Sequence, residues 1–192
     1  MRLRLLILVG LIVTASSCGS STSPTPTGGA TLNVLLKDSP FTDAKALLVT
    51  FSEVSAHTSG AGFGTDSRIP FASGASSRTC DLKKLATAQD ILGTGPLAAG
   101  HYTQIRIVVA SAALYFDNAS AGPACADTIA APGGRSAGVD IPSGELRLNR
   151  EFDLTTTTPT TILLDFDGDR SVRETGAGRF MMTPVITIVS VS

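Results

Sequence analysis

The feature that most constrains this chain is the shortness of its apolar runs. From Ala30 onward, segments rich in Val, Ile, Leu and Thr last a few residues before Gly, Pro, Ser or Asp interrupts them. That is the punctuation of strands and turns rather than of helices. Thr31 to Lys37 reads as a first strand, ended by Asp38-Ser39-Pro40, and Ala46 to His57 as a longer one. Alternation in the longer strand puts Leu48, Thr50, Ser52 and Val54 on one face, with Leu47, Val49, Phe51 and Glu53 on the other. His101 to Phe116 is the clearest strand: Thr103, Ile105, Ile107 and Val109 form an apolar face, and Tyr102, Gln104 and Arg106 point the other way. Arg68 to Phe71 is a short strand candidate between Gly/Ser loops. Gly138 to Ile141, Glu145 to Leu154, Thr160 to Asp167 and Phe180 to Val191 are four more. Asp81 to Leu92 is the one helix candidate, with Leu82, Leu85, Gln89 and Leu92 roughly aligned and Gly93 placed as its stop. Asn118 to Gly138 reads as a long Ala/Gly/Pro insert holding Cys125. The expected fold is all-β: a two-sheet β-sandwich, transthyretin-like or immunoglobulin-like, with at most one short helix. The lack of Trp argues against a true antibody-type domain, where a buried Trp packs on the core disulfide.

The N-terminus reads as an export signal. Arg2 and Arg4 precede an apolar stretch from Leu5 to Thr14, roughly ten residues and so in the range of a signal h-region. A bilayer span needs about 20. Ala15-Ser16-Ser17-Cys18 resembles a bacterial lipobox, with Ala where Leu is usual, and Ala15 and Ser17 also suit ordinary signal peptidase. Cysteine arithmetic favours the lipid. Of three cysteines, Cys80 and Cys125 can pair in an oxidising compartment, leaving Cys18 over. Acylation accounts for it. The expected organisation is a signal peptide at 1–17, a Ser/Thr/Pro/Gly tether at 18–29 and one β-sandwich domain at 30–192.

Composition narrows the partners. Hydrophobic residues make up 43% of the chain and charged residues 16%, too apolar and too weakly charged for disorder. The formal net charge is −1, and removing Arg2 and Arg4 with the signal takes it to −3. That leaves no electrostatic footprint for nucleic acid and no basic patch to assist membrane adhesion, which acyl chains must then supply.

Several segments together carry a family resemblance: GATLNVLLKDSPF, VTFSEVSAH, LAAGHYTQIRIVV, PSGELRL, LLDFDGDRSV and GAGRFMMTPVI. In this order, from about Gly29 to Val189, the chain resembles the bacterial and archaeal lipoprotein family of unknown function numbered 4382. The resemblance implies an exported, usually lipid-anchored β-domain without an assigned activity. The Cys80/Cys125 pair and a shortened helix region are departures from the family's pattern. The turn from Leu97 to Tyr102 also resembles the glycine–aromatic step of transthyretin-like and collagen-adhesin B-type sandwiches, an analogy of shape.

The segment Asp165-Phe166-Asp167-Gly168-Asp169 is the one local constellation with chemistry in it. With Ile162, Leu164 and Phe166 facing inward, Asp165 and Asp167 project from one outer face, about 7 Å apart along the strand. Two readings follow. The acids cap a strand-to-turn transition and pair with arginine, Arg106 first and Arg173 or Arg179 otherwise, while Asp169 accepts backbone N–H groups in the turn. Alternatively, Asp165, Asp167 and Asp169 hold calcium, although Arg170 replaces the turn glycine of a calcium loop and Gly176 its bidentate glutamate. His57 and His101 sit at strand edges. The motifs of zinc peptidases, α/β-hydrolases and phosphate loops are missing from the sequence, so catalysis is not expected. Glycan binding usually needs exposed rings, for which Tyr102 and Tyr115 are the candidates. The expected role is a lipid-anchored interaction or structural module of the bacterial cell envelope, at the outer membrane or facing the periplasm in a Gram-negative cell. It is joined to the membrane through acylated Cys18, takes a protein or glycan partner, and requires no cofactor. A calcium-stabilised binding module is the alternative, followed by a glycan-binding module or an unrecognised enzyme.

Overall fold

The computed structural model describes residues 29–39, 44–62 and 65–192. The expected signal peptide, Cys18 and nearly all of the expected tether lie outside the described residues. Fifteen elements follow in chain order: β1 (Gly29–Ser39), β2 (Ala46–Thr58), β3 (Ser67–Arg68), β4 (Arg78–Asp81), α1 (Leu82–Leu85), β5 (Asp90–Ala98), β6 (Gly100–Tyr115), β7 (Cys125–Ala126), β8 (Ser136–Asp140), β9 (Glu145–Leu154), β10 (Thr160–Asp167), α2 (Gly168–Ser171), β11 (Val172–Gly176), β12 (Arg179–Met182) and β13 (Ile186–Val191). They form two mixed sheets. The smaller has the order β13-β10-β1-β5, with β1 and β10 parallel at its centre. The larger runs β11-β12-β8-β6-β2-β4-β7, with β3 added to β2 and β9 to β6. The fold is all-β, as its apolar pattern requires.

The spine of the larger sheet is the antiparallel pair β2·β6, and its alternation is not continuous. Leu47, Val49 and Phe51 are buried in the core, but so are Val54 and Ala56. Register shifts around Phe51 leave Ser52 without a direct partner on β6. One extra residue moves the following side chains to the opposite face. Val54 is therefore inside, and Glu53 and His57 are outside. A second irregularity around Thr103 turns Tyr102 inward. Its ring is 1% exposed, stacks on Phe152 at 5.5 Å between centroids, and donates from its hydroxyl to the Ala98 carbonyl at 2.9 Å. Tyr102 is thus a core residue rather than an exposed one.

Leu32, Val34 and Leu36 of β1, with Ile162, Leu164 and Phe166 of β10, supply the smaller sheet's share of the core. Phe166 meets Phe51 edge-on at 6.4 Å across the sandwich. Gly144 marks one close approach: its carbonyl accepts from the Val109 N–H at 2.9 Å, and a β-carbon there would run into the Val109 carbonyl.

Three expectations are corrected. The helix expected from Asp81 to Leu92 shrinks to the four residues of α1, capped by the Asp81 carboxylate on the Lys83 N–H at 3.1 Å. From Asp90 the chain is β5, because pairing with β1 buries Leu97 opposite Ala30 and Leu92 at the bulge between Ile91 and Gly93, while Gly93, Gly95 and Pro96 oppose a helix. The segment expected as one strand from Phe180 to Val191 is two, β12 in the larger sheet and β13 in the smaller, split by Thr183-Pro184-Val185. A second helical turn, α2, is present where one helix at most was expected.

Candidate functional site

The acidic segment sits where β10 turns into α2. Parallel register places Asp165 beside Lys37, and the Lys37 ammonium lies 3.0 Å from Asp165 Oδ2. Asp167 is the N-cap of α2: its Oδ1 accepts from the Arg170 N–H at 3.0 Å, with the Arg170 guanidinium 3.9 Å from Oδ2. Asp169 lies exposed within the turn, so the carboxylate that holds the turn's backbone is Asp167, not Asp169. Arg106 is not the partner. It belongs to β6 in the other sheet, whereas β10 pairs with β1 and β13. Among the described residues, no group of three or more His, Cys, Asp or Glu side chains is arranged to hold a metal ion.

The sequence reading missed Asp38. It lies on the inward side of β1, in phase with Leu32, Val34 and Leu36, and is 5% exposed. Its Oδ1 accepts from the Gly168 N–H at 3.0 Å, which ties β1 to the start of α2, while Oδ2 has no hydrogen-bond partner among the described residues. Burial is the main cause that pushes this carboxyl up from 3.8 to about 8. The negative charges of Asp165 and Asp167 add to the rise; the Gly168 N–H and Lys83 oppose it. Asp38 is therefore mostly protonated at neutral pH. Its signal in sequence was the strict alternation from Leu32, which places position 38 inside.

Arg106 instead anchors a polar band on the solvent face of the larger sheet. Its guanidinium engages Asp66, and its Nε donates to Gln104 Oε1 at 2.6 Å. Gln104 Nε2 in turn donates to Asn149 Oδ1 at 2.6 Å. His57 Nδ1 lies 2.7 Å from the other oxygen of Asp66. The Asp66, Arg106 and His57 side chains keep only 14%, 14% and 19% exposure. Arg68 reaches Glu53 at 3.6 Å, Arg147 reaches Glu145 at 2.9 Å, and His101 lies 2.8 Å from Asp153. Asp66 is on a loop that the strand pattern does not address, so this pairing was not legible.

The Cys80–Cys125 disulfide is formed, joining β4 to β7. Around it the insert is fastened by polar contacts. Buried Asp81 accepts from the Leu47 N–H at 3.2 Å and the Ser120 hydroxyl at 2.6 Å. Asp90 accepts from the Cys125 N–H at 3.1 Å, and Arg78 reaches both Asp90 Oδ1 and the Cys125 carbonyl at 3.4 Å.

Residues 29–184 match the family model described as Domain of unknown function (DUF4382). The chain belongs to this family. The match begins at the first residue of β1 and ends just before β13, so the DUF4382 match takes in the larger sheet, the smaller sheet apart from its edge strand β13, the disulfide, Asp38 and the acidic turn. No curated protein and no solved structure matches the chain.

Proposed function

We propose that this DUF4382 chain is an exported, lipid-anchored domain of the bacterial cell envelope that acts as a non-catalytic interaction or structural module. The observation that carries the reading is the closed Cys80–Cys125 disulfide. It suits an oxidising compartment and leaves Cys18 as the odd cysteine, at the end of a basic and apolar leader. Cleavage before Cys18 and acylation of its sulfur and amine give the domain a membrane foothold. The polar tether then holds the sandwich off the surface. The non-catalytic part of the reading rests on the sequence and on where the arginines go. The sequence lacks the motifs of zinc peptidases, α/β-hydrolases and phosphate loops, and Arg106, Arg68 and Arg147 each meet an acid on the polar face of the larger sheet.

The test is fractionation of cells producing the full chain or its Cys18→Ala variant, with metabolic labelling by a fatty acid. The full chain is expected in the membrane fraction, carrying label and resisting high salt. The variant is expected to be soluble and unlabelled. A variant that stays with membranes in high salt, or a full chain without label, overturns the lipid anchor.

A further inference from the structure

The solvent face of the smaller sheet carries an aliphatic row that crosses all four strands. Register aligns Ile91 of β5 with Leu35 of β1, Leu35 with Leu163 of β10, and Leu163 with Ser190 of β13. At that point β13 bulges and inserts Val189. Ile91 is 40% exposed and Val189 50%, and these are the exposed large hydrophobic residues of the described chain. Both ends of the row are thus the exposed large aliphatic side chains among the described residues. Leu35 and Leu163 are half-buried between them. Two residues along the strands from Leu35 and Leu163, Lys37 and Asp165 stand side by side on the same two central strands.

We propose that this face is the contact surface for a second copy of the chain, packed sheet to sheet about a two-fold axis. The argument is the symmetry of the pattern. The centre of the sheet falls between the parallel strands β1 and β10. A two-fold axis lying in the contact plane along that midline sets β1 of one copy over β10 of the other. Leu35 then meets Leu163 of the second copy, and Ile91 meets Val189. Lys37 meets Asp165 of the second copy, and the reciprocal contacts form at the same time. Each copy offers one cation and one anion at matching heights, so the charges complement one another under this operation and under no exchange of a strand with itself. A lipid surface fits less well, since the one ammonium on these two strands is already beside a carboxylate and gives no net attraction to anionic headgroups.

Four strands at about 4.8 Å spacing and about 26 Å long give a face of about 500 Å². Two copies bury about 1,000 Å², the low end for a specific interface. Association is therefore weak in solution and favoured where copies share a surface. This names the partner for the interaction role proposed above, but it does not need the lipid anchor.

The test is sedimentation velocity on the full chain carrying Cys18→Ala, across a wide concentration range, with a detergent extract used instead if that chain is not released from membranes. A dimer that grows with concentration is expected. Leu163→Lys is expected to weaken it by about tenfold or more with an unchanged melting temperature. Lys37→Asp and Asp165→Lys are each expected to be monomeric alone and to dimerise when mixed in equal amounts. A Cys18→Ala chain, otherwise unaltered, that stays monomeric at every concentration overturns the proposal. So does a mixture no more dimeric than its components, dimers untouched by Leu163→Lys, or capture of the Cys18→Ala chain by lipid vesicles that Leu163→Lys abolishes.

Discussion

The two solvent faces of this sandwich solve the same problem in opposite ways. On the larger sheet, the outward positions of β2, β6 and β9 carry Glu53, His57, Gln104, Arg106, Glu145, Arg147 and Asn149, nearly all engaged with one another or with Asp66 and Arg68. On the smaller sheet, the outward positions carry Ile91, Leu35, Leu163 and Val189 beside the Lys37–Asp165 pair, with a hydrogen-bonded Asn33–Thr94 pair, Thr161 and Thr187 around them. The first face satisfies its own polar groups, so a change there is felt inside the monomer. The second leaves apolar side chains facing out, so a change there costs the monomer little and falls on whatever contacts the face. The consequence is a separation of roles: one sheet face contributes to folding and the other is available for association.

Substitutions should sort by face. The largest effect is expected in the larger sheet's insert. Replacing Cys80 and Cys125 together by Ala removes a closure over 45 residues, which costs about 4 kcal/mol in the chain-entropy account. Chemical denaturation of the double variant measures it, and a loss under about 1 kcal/mol would mean that the contacts of Asp81 and Asp90 hold the insert alone.

Next is Asp38, under the smaller sheet. Its carboxyl titrates at about 8 in the folded chain against 3.8 in an ordinary setting. The folded state therefore binds the proton more tightly, and stability falls as pH rises between about 4 and 8. The slope approaches at most about 1.4 kcal/mol per pH unit. Melting temperature measured against pH should show this decline, and Asp38→Asn, which can still accept from Gly168, should flatten it. A decline of equal slope in the variant would assign it to other groups.

The polar band comes third. Asp66→Asn leaves Arg106 and His57 half-buried without their shared carboxylate and is expected to cost about 2 kcal/mol, between exposed and fully buried pairs. The smallest monomer effect belongs to the aliphatic row: Leu163→Lys, at a half-buried surface position, should change unfolding free energy by less than about 0.5 kcal/mol. If Leu163→Lys costs as much as Asp66→Asn, the contrast between the two faces fails.

What the sequence made legible follows from which interactions are local. The boundaries of β9 and β10 and the core of β1 could be read because alternation over consecutive residues carries them. The same alternation failed within β2 at Ser52, since one inserted residue inverts the phase and no composition signal accompanies it. The Asp81–Leu92 helix was misjudged because β5 owes its existence to β1, more than fifty residues earlier, and only pairing across that distance buries Leu92. For the same reason Arg106 was assigned to Asp165 rather than Asp66: alternation gave the facing of both side chains correctly but not which sheet each strand joins. The cysteine pair was legible by counting alone. Asp38 was readable as an inward residue on β1, but its approach to Gly168 depends on the parallel pairing with β10, which nothing in the sequence announces.

Hydroxyl-radical footprinting of the full chain at low and high protein concentration tests the contrast between the faces most directly, because it reads side-chain exposure on both in one sample. Oxidation of Leu35, Ile91, Leu163 and Val189 should fall together as concentration rises. His101, which is 44% exposed beside β9 on the larger sheet, should be oxidised equally at both concentrations. Protection of His101 with no change at the four aliphatic residues would contradict the account and move the contact surface to the opposite face.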